Sequence, residues 1–259
     1  MTQPIQDHES IPLYSVVIPA YNEEDYLPGT LDTLADAMAQ VPHPGEIVVA
    51  DNNSSDCTAD VARERGARVV FEPDNQISRA RNCGASAARG QYLIFVDADT
   101  RVSGALLCAA IEALQGGQVC GGGAPVASSD PASRTVRLSM TFWNFVARAL
   151  GWAAGSFVYC HREAWSDIGG FSHELYASEE LDFSRRLKRW GRPRGMRFRI
   201  LSTPVDTSLR KAEWFTARQL LTMMGQYAFM PWRLRQRKHC ELWYTRPDAQ
   251  DEKHNGDTA

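Results

Sequence analysis

No stretch of this 259-residue chain offers the roughly 18 to 20 unbroken apolar residues that a membrane-spanning helix needs. The most apolar part, Leu138 to Cys160, is interrupted by Asn144 and Arg148. The first ten residues, MTQPIQDHES, carry neither a basic cluster nor an apolar run, so they do not read as a secretory signal. A basic excess is also lacking: 28 Lys and Arg face 31 Asp and Glu, for a net charge of −3. That balance gives no global attraction to nucleic acid, and any anionic ligand must be held by local groups. The 6 cysteines lie far apart, with no CxxC pair and no His at zinc-site spacing, which points to reduced thiols in a cytoplasmic protein. There is no internal repeat and no long low-complexity segment. What remains is ordinary for a folded chain, 44% hydrophobic and 23% charged, and suits one large domain or a domain plus an extension.

The first hundred residues alternate two periodicities. YSVVIPAY (14–21) is a continuous apolar run, as expected of a strand buried on both faces. Leu27, Leu31, Leu34 and Met38 follow at helical spacing. EIVVAD (46–51) and ARVVFE (67–72) read as the second and third strands, separated by a helix that Asp56 can cap and Gly66 can end. A small-residue helix over 78–89 leads into YLIFVDAD, the fourth strand. This alternation predicts an α/β fold, a Rossmann-like, mostly parallel sheet with helices on both faces. Beyond residue 100 the pattern loosens into a helix over 103–114, a glycine-rich stretch over 116–123, an aromatic segment around Trp143, and a strand feeding a helix over 157–165.

In open sheets of this kind ligands sit beyond the carboxyl ends of the strands. Three polar clusters fall there: Pro19-Ala20-Tyr21-Asn22-Glu23, Asp51-Asn52-Asn53 and Asp97-Ala98-Asp99. Two carboxylates at i and i+2 past a buried strand, Asp97 and Asp99, suit Mg2+ or Mn2+, which take one or two protein carboxylates and complete their shells with diphosphate oxygens and water. The bland alternative is a solvated turn. Asp51 and Asn52 offer side-chain oxygens to a nucleobase or ribose, while Ser54, Ser55 and Asp56 read as turn and cap residues. Tyr21 either stacks on a base or packs in the core, with the Pro19 and Ala20 backbone meeting the base edge. Arg79 and Arg81 either reach a diphosphate or decorate a helix face. In Ser178-Glu179-Glu180, Ser178 reads as an N-cap and the acids either complement the helix dipole or supply a general base.

The ordered segments SVVIPAYNEE, VVADNNSSDCTA, RARNCGASAARGQYLIFVDADT and GGFSHELYASEELDFSRRLKRWG resemble the family 2 glycosyltransferases of the GT-A fold, over about residues 14–191. The resemblance implies a nucleotide-diphosphate-sugar donor, a hydroxyl acceptor (glycan, lipid-linked or small molecule), a divalent metal, Mn2+ or Mg2+, and, as in most members, inversion at the anomeric carbon. Carried over by motif, Asp99 is the main metal-contacting residue and Asp97 lies near ribose and metal. Pro19, Tyr21 and Glu23 belong to the first nucleotide-binding strand end. Asn52 stands where the family usually has a second Asp. Glu180 stands at the position of the catalytic base, where Asp is usual, with Glu179 on the acceptor side. Many relatives carry a metal-proximal His in the stretch matching STPVDTSLRK; here there is none, leaving Asp206 or water to complete the shell.

The expected organisation is a tail over 1–13, a catalytic domain over 14–209 (nucleotide-sugar half 14–100, acceptor half 101–209), a helical aromatic and basic extension over 210–247, and a disordered tail over 248–259. Basic residues mixed with Trp and Tyr over 212–244 suit either a helix packed on the domain or peripheral contact at the inner face of a membrane. Two rival readings are a sugar nucleotidyltransferase and a non-catalytic sugar-nucleotide or glycan-binding module. The first expects a glycine-rich basic loop after strand one, where this chain has the acidic YNEEDYLPGT.

Overall fold

The computed structural model describes residues 11–131, 134–208 and 234–240. In chain order, β1 (Tyr14–Ala20), α1 (Leu27–Met38), β2 (Gly45–Asp51), α2 (Thr58–Glu64), β3 (Arg68–Phe71), α3 (Ile77–Ala87) and β4 (Tyr92–Val96) form the alternating half. There follow β5 (Thr100–Arg101), α4 (Gly104–Gln115), β6 (Val119–Gly123), β7 (Val126–Ala127), α5 (Arg134–Leu150), β8 (Phe157–His161), α6 (Arg162–Asp167), α7 (Glu179–Gly191), β9 (Arg197–Ile200) and β10 (Val205–Thr207). Seven strands make one sheet in the order β3-β2-β1-β4-β8-β6-β9, and only β8 runs against its neighbours. The α/β expectation holds, and residues on both sides of position 100 share this sheet. A smaller sheet, β5-β10-β7, lies past the tip of β4.

The apolar runs become strands because both faces of the sheet are covered. Tyr14, Val16 and Ile18 of β1 point to one side, where Leu27, Leu31 and Leu34 of α1 and Leu106, Leu107 and Ile111 of α4 pack on them. Val17 points to the other side with Leu93 and Phe95, against Phe183, Leu187 and Trp190 of α7. Each fully buried Leu or Phe contributes about 1.5–3 kcal/mol relative to leaving it exposed. Because β1, β2, β3 and β4 are parallel, their carboxyl ends share one edge, with Ala20 opposite Asp51.

Two local expectations change. Cys57, not Asp56, holds the N-cap position of α2; Asp56 Oδ1 accepts from the Thr58 amide at 3.0 Å, two residues on. Part of the glycine-rich stretch is a fully buried strand, β6, threaded between β8 and β9. A Cβ on Gly122 would run into the Arg199 carbonyl and the Tyr159 hydroxyl, which donates to that carbonyl at 2.8 Å.

The tail through residue 10, most of the extension over 210–247 and the tail over 248–259 lie outside the described residues. Within 234–240, Leu234 and Cys240 are buried against Ala177, and the Tyr176 amide donates to the Leu234 carbonyl. Arg235 faces Glu174 at 3.3 Å and Arg237 donates to Asn75 at 3.3 Å, so this part of the 212–244 stretch contacts the loops before α7 and α3. Among the described residues no helix is long and apolar enough to cross a membrane.

Gly122→Ala is expected to cost roughly 2 kcal/mol or more, since added volume in a close-packed core forces displacement. Urea denaturation measures this, and an unchanged midpoint would show that β6 has room for a side chain.

Candidate active site

The tips of β1 and β2 are stitched together by their own turn residues. Asn22 and Asn53 sit in the left-handed region, at φ 51° and 65°, which Asn tolerates better than most residues. The Asn22 amide donates to Ser54 Oγ at 3.0 Å, Ser55 N donates to Asn22 Oδ1 at 2.8 Å, and Glu23 N donates to Thr58 Oγ1 at 2.7 Å. Cys57 N donates to Glu24 Oε2 at 2.9 Å, and Asn52 N donates to the Ala20 carbonyl at 2.8 Å. Ser54, Ser55 and Asp56 therefore act in the turns, as their sequence suggests. Asp51 is buried and accepts from Ser54 N at 3.1 Å. The Asn52 side-chain amide donates to the carbonyls of Glu72 (3.2 Å) and Asp74 (2.7 Å). Two acceptors on its nitrogen fix the amide's orientation and turn Oδ1 away from them. Tyr21 is 38% exposed at the tip and lies outside the core.

At the tip of β4 the Ala98 carbonyl accepts from Thr30 Oγ1 of α1 at 2.7 Å, and Ala98 itself is buried. Its neighbours Asp97 and Asp99 are half-buried, and the Asp99 carbonyl accepts from Ser208 N at 3.2 Å. Behind them lies Arg81, only 3% exposed. Its guanidinium donates to Glu179 Oε1 at 2.6 Å, Asp97 Oδ1 at 2.9 Å and the Gly155 carbonyl at 3.1 Å. It also lies 5.3 Å from the centre of the Phe171 ring, which stacks on Phe183 at 4.1 Å. Burial opposes its charge, but the carboxylates of Asp97, Glu179 and Glu180 hold it protonated well beyond the usual range. Arg81 thus binds carboxylates inside the protein and is not turned out toward a diphosphate. Arg79 pairs with Asp74 at 3.0 Å and donates to Gln76 at 3.2 Å, one turn away on the surface of α3.

The start of α7 completes the group. Ser178 occupies the N-cap position but in a left-handed conformation (φ 59°) and without a side-chain cap bond, which corrects its reading as a conventional cap. The following turn sends Glu179 inward to Arg81. Glu180 is not hydrogen-bonded by Arg81, and its pKa is pushed up to about 8. Burial is the largest cause, then the Glu179 carboxylate; Arg81 pulls the other way. Three carboxylates share one guanidinium, so the carboxylate without a direct bond keeps its proton longest. Gly155 lies against both groups: a Cβ there would stand 3.1 Å from an Arg81 nitrogen and 3.7 Å from the Glu180 carboxyl carbon.

Sequence reasoning passed over Gln76, Asn82 and Gly155. Gln76 donates to the carbonyls of His173 and Leu175, and Asn82 holds the backbone of Phe171 from both sides. Together they tie α3 to the loop before α7. The available signal was polar residues on the inward face of a small-residue helix.

Asp97 and Asp99, half-buried on either side of Ala98, offer the hard carboxylate oxygens that a divalent cation takes one or two of from a protein. Among the described residues no cluster of three or more His, Cys, Asp or Glu is placed to hold a metal unaided. Asp206, considered as a further ligand, is otherwise engaged: Oδ1 accepts from Ser129 N at 2.8 Å, and Oδ2 accepts from the Ser129 hydroxyl at 2.7 Å and faces Arg101 at 3.6 Å.

Comparison with known proteins places this geometry. The model of glycosyl transferase family 2 matches residues 15–165, more than half of the chain. Validoxylamine A glucosyltransferase of Streptomyces hygroscopicus subsp. limoneus is 42% identical over 93 residues, 34% of this chain and 20% of that protein. Matches to curated relatives of this kind span 20% to 36% of their lengths. The mannosyltransferase of Pyrobaculum calidifontis, solved with GDP-Man and Mn2+, superposes with a TM-score of 0.61 at 18% identity, covering 94% of this chain and 73% of that one. Glucosyl-3-phosphoglycerate synthase of Mycobacterium tuberculosis, solved with Mn2+, UDP and glucosyl-3-phosphoglycerate, gives 0.59 at 17% identity, covering 86% and 80%. At these identities the two structures establish the GT-A fold alone.

Two outcomes follow from the charges around Arg81. Arg81→Ala leaves Glu179 and Asp97 without their partner and should cost about 3 kcal/mol in urea denaturation; Arg81→Lys should recover only part, because an ammonium cannot fork between both acids. Glu180 binds its proton more tightly folded (about 8) than its ordinary value of 4.5, so the folded state loses stability as pH rises through that window. Glu180→Gln should match the wild-type melting temperature near about pH 5 and exceed it by a few degrees at about pH 9.

Proposed function

Since the chain belongs to glycosyl transferase family 2, we propose that it moves a sugar from a nucleotide-diphosphate-sugar to a hydroxyl acceptor with inversion at the anomeric carbon. The observation that carries this reading is the division of labour around Arg81. Asp97 and Glu179 take its hydrogen bonds, while Glu180 retains a carboxyl of raised pKa beside them, near the edge that bears Asp99.

In this reading the tips of β1 and β2 receive the nucleotide. Tyr21 stacks on the base, the Pro19 and Ala20 backbone meets its edge, Glu23 supports the tip, and Asn52 Oδ1 accepts from a base or ribose donor beside Asp51. Asp99 and Asp97, on either side of the buried Ala98, would hold Mn2+ or Mg2+. Bound there, such a cation neutralises charge growing on the departing diphosphate. Glu180, ionised, takes the proton from the acceptor hydroxyl while its oxygen bonds to the anomeric carbon and the bond to the diphosphate oxygen breaks. Glu179 stays fixed on Arg81 and keeps the acceptor side of the α7 start in register with β4. Residues 14–100 then form the nucleotide-sugar half and 101–209 the acceptor half. A cytoplasmic setting, where nucleotide sugars and reduced thiols coexist, suits the free cysteines. The nucleotidyltransferase reading finds no support at the β1 tip, where Asn22 and Glu23 are tied into the β2 turn.

The test uses a panel of UDP-, GDP- and dTDP-sugars with Mn2+. A cognate donor should raise the melting temperature of the wild type by mass action, and Asp99→Asn should lose the Mn2+-dependent part. Glu180→Gln should keep that stabilisation and lower turnover by roughly 10²- to 10⁴-fold, the usual contribution of a positioned base. For the wild type, kcat/KM should rise with pH along a limb well above the ordinary carboxylate range, toward the value near 8 set by Glu180. Full turnover by Glu180→Gln, or undiminished Mn2+-dependent donor binding by Asp99→Asn, would defeat the assignment.

A further inference from the structure

Helix α5 is apolar on two opposite sides. Its inward side carries Met140, Trp143 and buried Ala147, and the Asn144 side chain bonds both the amide and the carbonyl of Val126 at 2.8 Å. On the outward side Leu138, Phe142 and Phe145 are 70%, 63% and 70% exposed, with exposed Ala149 extending the row. Spacings of four, three and four residues put these side chains on one stripe of the helix. Among the described residues no other element concentrates exposed large apolar side chains in this way.

The charge on the same helix is one-sided. RTVRLSMTFWNFVARAL holds Arg134, Arg137 and Arg148 and no acidic residue, in a chain whose net charge is −3. At about 100° per residue, Arg137 and Arg148 fall on one flank, roughly a quarter-turn from the apolar stripe. Long cationic side chains on that flank can lie along an interface while their heads meet anions. A second copy of this helix would bring the same arginines and no carboxylate to answer them. A phospholipid surface supplies both the apolar layer and the negative charge.

We propose that the outward face of α5 docks in the plane of an anionic phospholipid bilayer, with Leu138, Phe142 and Phe145 below the headgroups and Arg137 and Arg148 among the phosphates. This surface is carried by α5, not by the 212–244 stretch to which the sequence pointed. The helix ends at Leu150, five residues before Gly155, whose carbonyl binds Arg81, so docking brings the candidate active site close to the headgroups. Docking does not depend on the chemistry proposed above; only its corollary, that the hydroxyl acceptor is membrane-borne, rests on that reading.

The experiment is co-sedimentation of the full chain, without any nucleotide sugar, on vesicles of phosphatidylcholine alone or with one-quarter phosphatidylglycerol. The wild type should pellet with the mixed vesicles and release in high salt. Phe142→Ser with Phe145→Ser should lower the partition coefficient by about 10-fold or more. Arg137→Gln with Arg148→Gln, which leaves the apolar stripe intact, should remove the preference for phosphatidylglycerol. A wild type that stays in the supernatant at low salt, or serine and glutamine variants that both pellet like the wild type, overturns the proposal. So does a wild-type dimer in analytical ultracentrifugation that the serine variant dissolves, which would assign the face to a second copy. A serine variant that melts several degrees lower, with no vesicle binding by the wild type, would assign it to cover within the chain. Because no donor is present, failure here leaves the transferase reading standing, and failure of the donor assay leaves docking intact.

Discussion

The guanidinium of Arg81 is the constraint on which the site depends. One side chain from α3 reaches the tip of β4 through Asp97, the start of α7 through Glu179 and the loop before β8 through the Gly155 carbonyl. Those elements come from distant parts of the chain, and each ends where the chemistry is proposed to occur. Buried ion pairs seldom add net stability over apolar packing of the same volume, because desolvation offsets their attraction. Their value here is geometric: a fork with fixed angles sets the positions of two carboxylates relative to each other. The Phe171–Phe183 stack beneath keeps the fork from tilting.

Crowding three acids around one cation has a cost that falls on Glu180. Glu179 and Asp97 are neutralised by contact with Arg81, whereas Glu180 is held in a poorly hydrated place without a hydrogen bond from that guanidinium. Such a carboxyl destabilises the fold when ionised and is correspondingly ready to hold a proton. The same arrangement is why the proposed proton transfer falls to Glu180 rather than Glu179, although the two are adjacent in sequence and both open the same helix. The left-handed turn at Ser178 aims the first inward and leaves the second beside it.

Much of the framework was legible in the sequence because burial on both faces leaves an unmistakable trace. YSVVIPA and YLIFV have no polar alternation, and the acids following YLIFV marked the strand tip. β6 left no such trace: three consecutive glycines have no side chains to show a periodicity, and their burial depends on β8 and β9 closing over them. α5 read only as an aromatic segment, since two apolar faces blur the contrast on which helical periodicity depends. The role of Arg81 was illegible for another reason. Its partner Glu179 is 98 residues away, and nothing local distinguishes an arginine facing a diphosphate from one facing a buried carboxylate.

The stitched tips of β1 and β2 bear on how such a protein can diversify. The bonds that fix this edge run through Asn22, Ser54, Ser55, Thr58 and Glu24, whereas the groups proposed to meet the nucleotide are the exposed Tyr21 and the oxygen of Asn52. On that proposal Tyr21 stands outside the knot, while Asn52 would read through its oxygen and ties the β2 tip to Glu72 and Asp74 through its nitrogen. If the proposal holds, substitutions at Tyr21 retune nucleobase preference by drift or selection while the supporting knot, and with it foldability, stays untouched.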